Sequence, residues 1–311
     1  MMNFNPITIK NMEEIQSHLQ RANSPFCDHC FVDIFIWKDH FKTHFCILDD
    51  ILFLKTEAFP TGTPIYIAPI GPSDFIKAVP YIHEDARQRS VPFIMTSLTL
   101  GQKKILEETF PDEFSFEELR NSADYIYSSS DLISLKGSKF HSKRNFINRF
   151  KKVFENRWVY ENITPDNREE VLRYYDEWRL KQVEKGQDFF QGEYAAVRLA
   201  LENFEALGLL GGLLRLDGRI IAFTFGVQSS NEMFTIQVEK AHSDIPGAYQ
   251  MINQQFVIAN CQEVRWINRE EDLGLEGLRK AKLSYHPAVL AMKYKAVSRI
   301  EVGQKHVYSL C

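Results

Sequence analysis

Two hairpin signals, far apart in the chain, constrain the fold more than any other feature of the sequence. Asp217-Gly218 separates two apolar runs, and this dipeptide favours the left-handed backbone of a two-residue hairpin turn. A third strand, a helix and a fourth strand are predicted to follow the hairpin. The predicted elements of this half are Leu209–Leu216, Arg219–Val227, Glu232–Glu239, a helix from about Gly247 to Asn260, and Glu263–Ile267.

The same order of elements is predicted in the first half of the chain. Asp49-Asp50 lies between two apolar runs and predicts a tight hairpin. The elements of this half are Phe45–Leu48, Ile51–Lys55, Pro64–Ile70, a helix ending near Arg89, and Val91–Ser97. The repeated order predicts two similar domains. We expect the division where Ser128-Ser129-Ser130 interrupts the pattern, which gives domains 1–134 and 135–311.

Composition excludes several classes of protein. A chain of 311 residues is long enough for two domains with separate cores, and its 44 % hydrophobic content argues against wholesale disorder. A net charge of −4 excludes a globally basic binder, so we expect no DNA partner. No run approaches the ~20 apolar residues of a membrane span. Five scattered cysteines and no secretory signal pattern predict a cytoplasmic protein.

The segment 268–287 concentrates charge and glycine directly after a predicted buried strand. It holds three successive carboxylates, two glycines and, after them, three cations: Glu270, Glu271, Asp272, Gly274, Gly277, Arg279, Lys280 and Lys282. Ligands of α/β sheets bind beyond the carboxyl ends of strands. This segment is therefore the leading candidate for a functional site.

The segment 136–152 contains seven Lys or Arg residues and no acid. Phe140, Ile147 and Phe150 recur near helical spacing, which predicts a helix with one core face and one cationic face. One interpretation is a solvated helix that packs on its domain. The other is a phosphate-binding face, where Gly137 would let backbone N–H groups approach an anion.

The junction 238–253 joins a strand to a helix. Glu239 and Lys240 end the strand, and Tyr249 and Asn253 lie four residues apart on one face of the helix. A carboxylate at a strand end can deprotonate an amine nucleophile, and Lys240 can stabilise an oxyanion. The alternative interpretation is a surface ion pair beside a helix start.

The motif Cys27-Asp28-His29-Cys30 invites a zinc interpretation, but no second pair of ligands follows at a suitable interval. We therefore expect no metal site. The sequence also lacks GxSxG, Walker A and GxGxxG motifs, which argues against a serine hydrolase, a P-loop enzyme and a dinucleotide-binding dehydrogenase.

Three segments together resemble the family named after the C-terminal domain of phosphatidylglycerol lysyltransferase. They are LKGSKFHSKRNFINRF (135–150), EKAHSDIPGAYQMIN (239–253) and NREEDLGLEGLRKAKLSYHP (268–287), and CDHCFVDIFIW (27–37) is similar too. That family is similar in fold to the Fem peptidyltransferases. The resemblance implies an α+β fold of two tandem Gcn5-related N-acetyltransferase-like domains, with mixed, mostly antiparallel sheets flanked by helices. It also implies acyl or aminoacyl transfer to an amine or hydroxyl.

Carried onto this chain, the resemblance gives two sets of candidate site residues. The catalytic candidates are Glu239, Lys240, Glu271 and Asp272. The donor- or substrate-binding candidates are Lys136, Gly137, Lys143, Arg144, Asn145, Gly247, Ala248, Tyr249, Asn253, Asn268, Gly274, Arg279, Lys282 and Tyr285. The chain departs from acetyl-CoA-using relatives at their (Arg/Gln)-x-x-Gly-x-(Gly/Ala) loop, which is HSDIPGA here.

Two functional hypotheses follow. In the first, the protein is a transferase without a tightly bound cofactor; acyl-CoA or aminoacyl-tRNA is the co-substrate, and a small molecule or peptide is the acceptor. Glu239, Glu271 or Asp272 would be the general base, and Lys240, Arg279 or Lys282 would stabilise charge. We expect Glu239, Asp272 and Arg279 to converge on one crevice. In the second, the fold is a non-catalytic module that binds RNA or another polyanion through segment 136–152.

Overall fold

The computed structural model describes residues 2–22, 24–58, 61–71, 75–184 and 192–300. These residues form two compact units. The first holds the described residues up to Asp124 together with 291–300, and the second holds those of Tyr125–Leu290. No helix of the described residues is long and apolar enough to cross a membrane.

The helices and strands of the first unit precede those of the second, except for the last strand. In chain order they are β1 (Asn5–Pro6), α1 (Met12–Ala22), α2 (Phe31–Trp37), β2 (His44–Leu48), β3 (Ile51–Ala58), β4 (Thr63–Ile70), α3 (Val79–Arg89), β5 (Ile94–Leu98), α4 (Leu100–Thr109), β6 (Phe114–Glu118), β7 (Asp124–Ser128), α5 (Ser129–Ser134), α6 (His141–Val153), β8 (Trp158–Asn162), α7 (Arg168–Glu184), α8 (Glu193–Glu202), β9 (Leu210–Leu216), β10 (Arg219–Gln228), β11 (Met233–Ala241), α9 (Ala248–Asn260), β12 (Trp266–Asn268), α10 (Glu276–Leu283), β13 (Val289–Ala291) and β14 (Tyr294–Ser298).

The two sheets have related topologies. The strand order is β1-β2-β3-β4-β5-β14-β6 in the first unit and β13-β7-β12-β11-β10-β9-β8 in the second. In each unit a hairpin (β2–β3 or β9–β10) is followed by a strand, a helix and a strand that runs parallel to its neighbour. The predicted repeat of hairpin, strand, helix and strand is therefore confirmed.

Both predicted hairpin turns have the same backbone geometry. The two central residues have positive φ in each turn: 51° and 60° at Asp49 and Asp50, and 49° and 79° at Asp217 and Gly218. This geometry twists the chain in the sense that matches the twist of the flanking strands. Asp50 accepts hydrogen bonds from both terminal nitrogens of Arg21, at 2.7 and 2.9 Å, which helps to hold a turn that lacks glycine.

Helix α9 supplies much of the core of the second unit. Met251, Ile252, Phe256 and Val257 are fully buried and pack in one cluster with side chains of the sheet. Burying four large side chains of this kind stabilises the unit by several kcal/mol, at about 1.5–3 kcal/mol each. The junction between β11 and α9 is therefore held firmly in place.

The division between the units differs from the expected one in two respects. Strand β7 belongs to the second sheet, where Ser128 pairs with Trp266, so the chain changes unit before the three serines. Ser128 instead caps α5, since its Oγ accepts a hydrogen bond from the Asp131 amide at 3.4 Å. Strand β14 returns to the first sheet between β5 and β6. Pairing between distant strands leaves no local signal in the sequence.

Replacing Gly226 by alanine is expected to destabilise the second unit. Gly226 lies where the register between β10 and β11 shifts, and a Cβ there would lie 2.3 Å from the Thr235 carbonyl oxygen. Because that oxygen is backbone, the strands must move apart, which costs about 2 kcal/mol. The midpoint of urea unfolding measures the loss.

The matched control is Gly277→Ala in α10, where a Cβ meets nothing within 4 Å. Alanine in a helix should leave that midpoint unchanged or raise it slightly. Equal midpoints for Gly226→Ala and the wild type would contradict the close approach of the two strands.

Candidate active site

Strands β11 and β12 lie side by side only over a short distance. Residues 233–235 pair with 266–268, whereas β11 continues to Ala241. The chain after β12 turns toward β7, where the Arg269 amide donates to the Tyr125 carbonyl at 3.0 Å. The two strands therefore part, and the side chains of Glu239 and Arg269 meet across the opening.

An ion pair fills this opening. Arg269 Nη2 donates to Glu239 Oε1 at 2.8 Å, and Asn253 Nδ2 donates to Glu239 Oε2 at 2.8 Å. The side chains of Arg269 and Glu239 are only 13 % and 11 % exposed. Arg269 Nη1 is buried and has no hydrogen-bond partner among the described residues. A buried donor of this kind ordinarily has a hydrogen-bond partner. Here the guanidinium lies 5.7 and 5.0 Å from the ring centres of Tyr127 and Tyr285.

Lys143 lies on the same side of the sheet, on α6. Its Nζ donates to Ser284 Oγ at 2.6 Å and lies 4.1 Å from the centre of the Tyr285 ring. The Arg269 guanidinium lies 5.0 Å from the same ring centre. Burial, and then the charge of Arg269, lower the pKa of Lys143 to about 8, although Glu239 acts in the opposite direction. Lys143 is therefore partly neutral near physiological pH.

Asp272 forms a second ion pair. It accepts hydrogen bonds from Arg279 Nε and Nη2 at 2.8 Å each, from the Tyr125 hydroxyl at 2.5 Å and from the Gly274 amide at 2.8 Å. Burial raises the pKa of Asp272, but these hydrogen bonds outweigh burial and hold the pKa well below its usual range. A carboxylate with so many donors is a weak base. Its contacts favour an anchoring role for the loop between β12 and α10.

Lys282 connects the two ion pairs. Its Nζ donates to the main-chain carbonyls of Arg269, at 2.6 Å, and of Glu271, and its own carbonyl accepts from the Tyr127 hydroxyl at 2.8 Å. Asn268 Oδ1 accepts from the Glu270 amide at 2.6 Å. These predicted site residues thus contact the main chain around Arg269 and fix its position. Asp272 and Arg279 meet each other, whereas Glu239 meets Arg269.

Lys240 lies apart from Glu239, although the two are adjacent in sequence. Neighbouring residues of a strand point to opposite faces of the sheet. Lys240 Nζ pairs with Glu193 Oε1 of α8 at 2.7 Å and lies 4.8 Å from the Trp178 ring centre on α7. The geometry therefore favours Glu239 and Arg269, rather than Glu239 and Lys240, as the pair that acts together.

The basic segment is only partly available to a ligand. Arg144 is half-buried, and its Nη1 donates to the carbonyls of Gly137, at 2.7 Å, and of Leu135. Lys136 and Asn145 are exposed. The expected anion site at Gly137 thus has a cation already bound to its carbonyl.

Gly247 lets the N-terminus of α9 lie close to the backbone of α6, and Ala248 packs beside it. A Cβ at Gly247 would lie 2.7 Å from the Phe146 carbonyl oxygen of α6, and Ala248 is fully buried. The backbone of α6 therefore covers this side of the α9 N-terminus. Tyr249 is the second residue of α9, and burial raises its pKa to about 12 despite a hydrogen bond with the Ala241 backbone.

A shallow surface depression lies along α10. It is lined by Glu276, Arg279, Lys280, Leu283 and Ser284. Ser284 belongs both to this lining and to the hydrogen bond with Lys143.

The cysteine segment of the first unit surrounds an internal cation. Lys293 Nζ forms ion pairs with Asp28 and, at 3.2 Å, with Asp124, and it lies 3.6 Å from Cys27 Sγ. Lys293 is 1 % exposed, so its charge is compensated inside the protein.

Sequence reasoning missed Arg269, the residue on which the site is built. It lies within segment 268–287, directly after the predicted strand. In the sequence it stands beside three carboxylates, and the cluster of cations comes later in the segment. Its position as the first cation after a buried strand is the signal that identifies it. Ser284 and Tyr127 were also missed, because hydroxyl groups carry no comparable signal in sequence.

Comparison with known proteins places the chain in one family. The family described as phosphatidylglycerol lysyltransferase, C-terminal, matches residues 21–297. A curated relative, an uncharacterized protein of Mycoplasmoides gallisepticum (strain R(low / passage 15 / clone 2)), is 25 % identical over 177 residues. That match covers 56 % of each chain, so it spans about half the length of the relative.

Solved structures agree with this assignment. A conserved protein of unknown function from Bacteroides thetaiotaomicron VPI-5482 is 40 % identical and similar over 96 % of this chain and 100 % of that one, with a TM-score of 0.91. L-PGS from Bacillus licheniformis (16 % identity, 95 % and 93 % covered, TM-score 0.61) and FemX (7 %, 94 % and 97 %, 0.62) share the fold. The predicted tandem Gcn5-related N-acetyltransferase-like fold is therefore confirmed.

Asp272→Asn is expected to lower the free energy of unfolding by about 2 kcal/mol, because it removes one partner of a buried ion pair. The loss stays moderate because Arg279 is 32 % exposed and can turn to water. The folded-state pKa is depressed, so this stabilisation is present above the unfolded pKa of about 4 and is lost below it. Urea unfolding at pH 7 and pH 3 tests the change. Glu276→Gln, exposed on the same segment, is the control and should have little effect.

Lys143→Met is expected to stabilise the protein near pH 7 by about 1–2 kcal/mol, because a buried charge is removed. The folded-state pKa of about 8 lies below the usual 10.5. The wild type is therefore penalised below pH 8, and the penalty disappears as the pH rises toward 10.5. Unfolding midpoints measured between pH 7 and 10 should converge. A constant difference, or one matched by the exposed Lys151→Met control, would contradict the depressed pKa.

Proposed function

The chain belongs to the family of phosphatidylglycerol lysyltransferase C-terminal domains, and we propose that its second unit transfers an aminoacyl group from an aminoacyl-tRNA to an amine or hydroxyl acceptor. The observation that carries the proposal is the buried Arg269 Nη1, a charged donor without a hydrogen-bond partner among the described residues. Attack on an aminoacyl ester turns its carbonyl oxygen into an oxyanion. A fixed, poorly solvated cation is the group that stabilises such an intermediate.

Glu239 orients the arginine in this mechanism. Its two oxygens bind Arg269 Nη2 and Asn253 Nδ2, so the guanidinium has one fixed orientation and its second terminal nitrogen points away from the carboxylate. A donor held in place before the reaction needs no reorganisation when charge develops. Glu239 thus acts as a positioning residue, in place of the base expected from the sequence.

Lys143 is the general base of the proposed reaction. A base works best when its pKa lies near the working pH, and the pKa of Lys143 is about 8. The neutral amine takes a proton from the acceptor amine or hydroxyl, which attacks the ester carbonyl. The bond to the ribose oxygen then breaks, and the Lys143 ammonium returns its proton to that oxygen. Ser284 orients the Lys143 amine beside the surface depression, through which the acceptor enters.

The packing of α9 supports RNA rather than CoA as the carrier of the acyl group. A pyrophosphate on the N-terminus of this helix needs an open approach to the backbone N–H groups. Here the α6 backbone lies against Gly247, where even a Cβ would meet the Phe146 carbonyl at 2.7 Å. The cationic surface of α6 adjoins the site instead, which suits a polynucleotide.

Lys143→Met is expected to lower the rate of transfer by about 10²–10⁴-fold, because the general base is lost. The assay uses a tRNA pool charged with radiolabelled amino acids and hydroxylamine as a surrogate acceptor. With the wild type, the rate should rise with pH up to about 8 and then level off, and the variant should lose this rise. Arg269→Lys keeps the charge but loses the planar fork and should lower the rate by about 10²-fold.

Lys104→Met, at an exposed position outside α6, is the matched control and should keep the wild-type rate and pH profile. A Lys143→Met protein within twofold of the wild type, with an unchanged pH profile, would exclude Lys143 as the base. Tight binding of tRNA without any transfer would support the non-catalytic RNA-binding alternative, whereas binding of acetyl-CoA without binding of tRNA would overturn the proposed donor.

A further inference from the structure

Helix α6 has two distinct faces. Lys143, Ile147 and Phe150 are buried at helical spacing and face the core of the second unit. The exposed positions are polar or cationic, apart from Phe146 and Val153. Ser142, Asn145, Phe146, Arg149 and Lys152 are exposed, and each lies three or four residues from another member of the set, so they form a continuous patch.

This outer patch carries no negative charge of its own. Residues 132–154 contain no Asp or Glu, although about three would be expected from the 41 acids in 311 residues. Two other cations of the segment already have partners: Lys139 pairs with Asp131 at 2.8 Å, and Arg144 donates to the Gly137 carbonyl at 2.7 Å. Arg149, Lys151 and Lys152 instead lie exposed near the C-terminal end of the helix.

Phe146 is the unusual member of the patch. Its side chain is 41 % exposed, whereas Phe140 and Phe150 of the same segment are fully buried. Its main chain packs against Gly247, so the ring is held on a fixed part of the backbone. An exposed aromatic ring beside cations and amide side chains is the combination with which proteins stack single-stranded bases and bind their phosphates.

The position of Phe146 relative to Lys143 sets the orientation in which RNA would lie along the patch. The two residues are three positions apart, which corresponds to about 4.5 Å along the helix axis. The backbones of the two residues therefore lie within one helical turn of each other, so a nucleotide stacked on Phe146 would lie on the part of α6 that also carries Lys143. The phosphates of preceding nucleotides would then follow the helix toward Arg149 and Lys152.

We propose that the outer patch of α6 (Ser142, Asn145, Phe146, Arg149 and Lys152) binds the single-stranded 3′ end of the donor RNA, with an unpaired base on Phe146 and phosphates on Arg149 and Lys152. The inference rests on the proposed function, since it describes how the aminoacyl ester reaches Lys143. It adds a recognition surface on which transfer depends without any direct part in the chemistry.

The test measures binding of a fluorescein-labelled RNA hairpin with a short single-stranded 3′ end, as a function of salt. Phe146→Ala should weaken binding about 5- to 100-fold by removing the stacking platform. The double variant Arg149→Glu/Lys152→Glu should weaken binding and reduce the slope of log K against log salt by about 1.4, because each phosphate contact on a single strand contributes about 0.7.

The matched control is Lys104→Glu/Arg219→Glu, which makes the same change in net charge at exposed positions outside the patch. It should change binding much less, and the slope should stay near that of the wild type. Phe146→Leu, which keeps an apolar side chain without an aromatic ring, should behave like Phe146→Ala. Circular dichroism and unfolding midpoints confirm that each variant is folded.

Equal affinities and slopes for the patch variants and the control would overturn the proposed surface. Transfer measured in parallel separates this failure from that of the proposed function. A wild type that transfers, with patch variants of unchanged KM, overturns the surface alone. A wild type that binds RNA through the patch but transfers nothing supports the surface and overturns the transferase. A wild type that neither binds nor transfers overturns both.

Discussion

The ion pair between Arg269 and Glu239 spans the opening where β11 and β12 separate, and the other features of the second unit are arranged around it. Asn253 of α9 holds the free oxygen of Glu239, and Lys282 of α10 holds the main-chain carbonyl of Arg269. Helix α9 keeps its place because its apolar face is fully buried in the core. The polar site therefore inherits its geometry from the packing of the helix on the sheet.

Charge balance is the reason why such a site would suit the activated ester that we propose as the donor. Lys143 and Arg269 bring two cations to one aromatic wall, and Glu239 faces them as a carboxylate whose two oxygens already have donors. A surplus of positive charge in a poorly solvated place is unfavourable until negative charge develops there. The pKa of Lys143 is depressed for this reason, since burial and the charge of Arg269 both favour the neutral amine.

The ion pair between Asp272 and Arg279 is structural. Asp272 binds Arg279, Tyr125 and the Gly274 amide, and it thereby fixes the loop that leads into α10. That helix places Ser284 beside Lys143 and lines the surface depression. Most charges of segment 268–287 therefore shape the loop, and its first cation, Arg269, forms the ion pair with Glu239.

The sequence by itself determined the hairpins, the repeated order of strands and helices, the two-faced helix α6 and the family, because turn chemistry, periodicity and motifs are local properties. Only the tertiary structure decided that Glu239 and Lys240 serve opposite faces of the sheet, that Lys143 is buried beside Arg269, and that β14 returns to the first unit. Those outcomes depend on strand pairing and side-chain burial between residues far apart in the chain, which no local pattern of residues encodes.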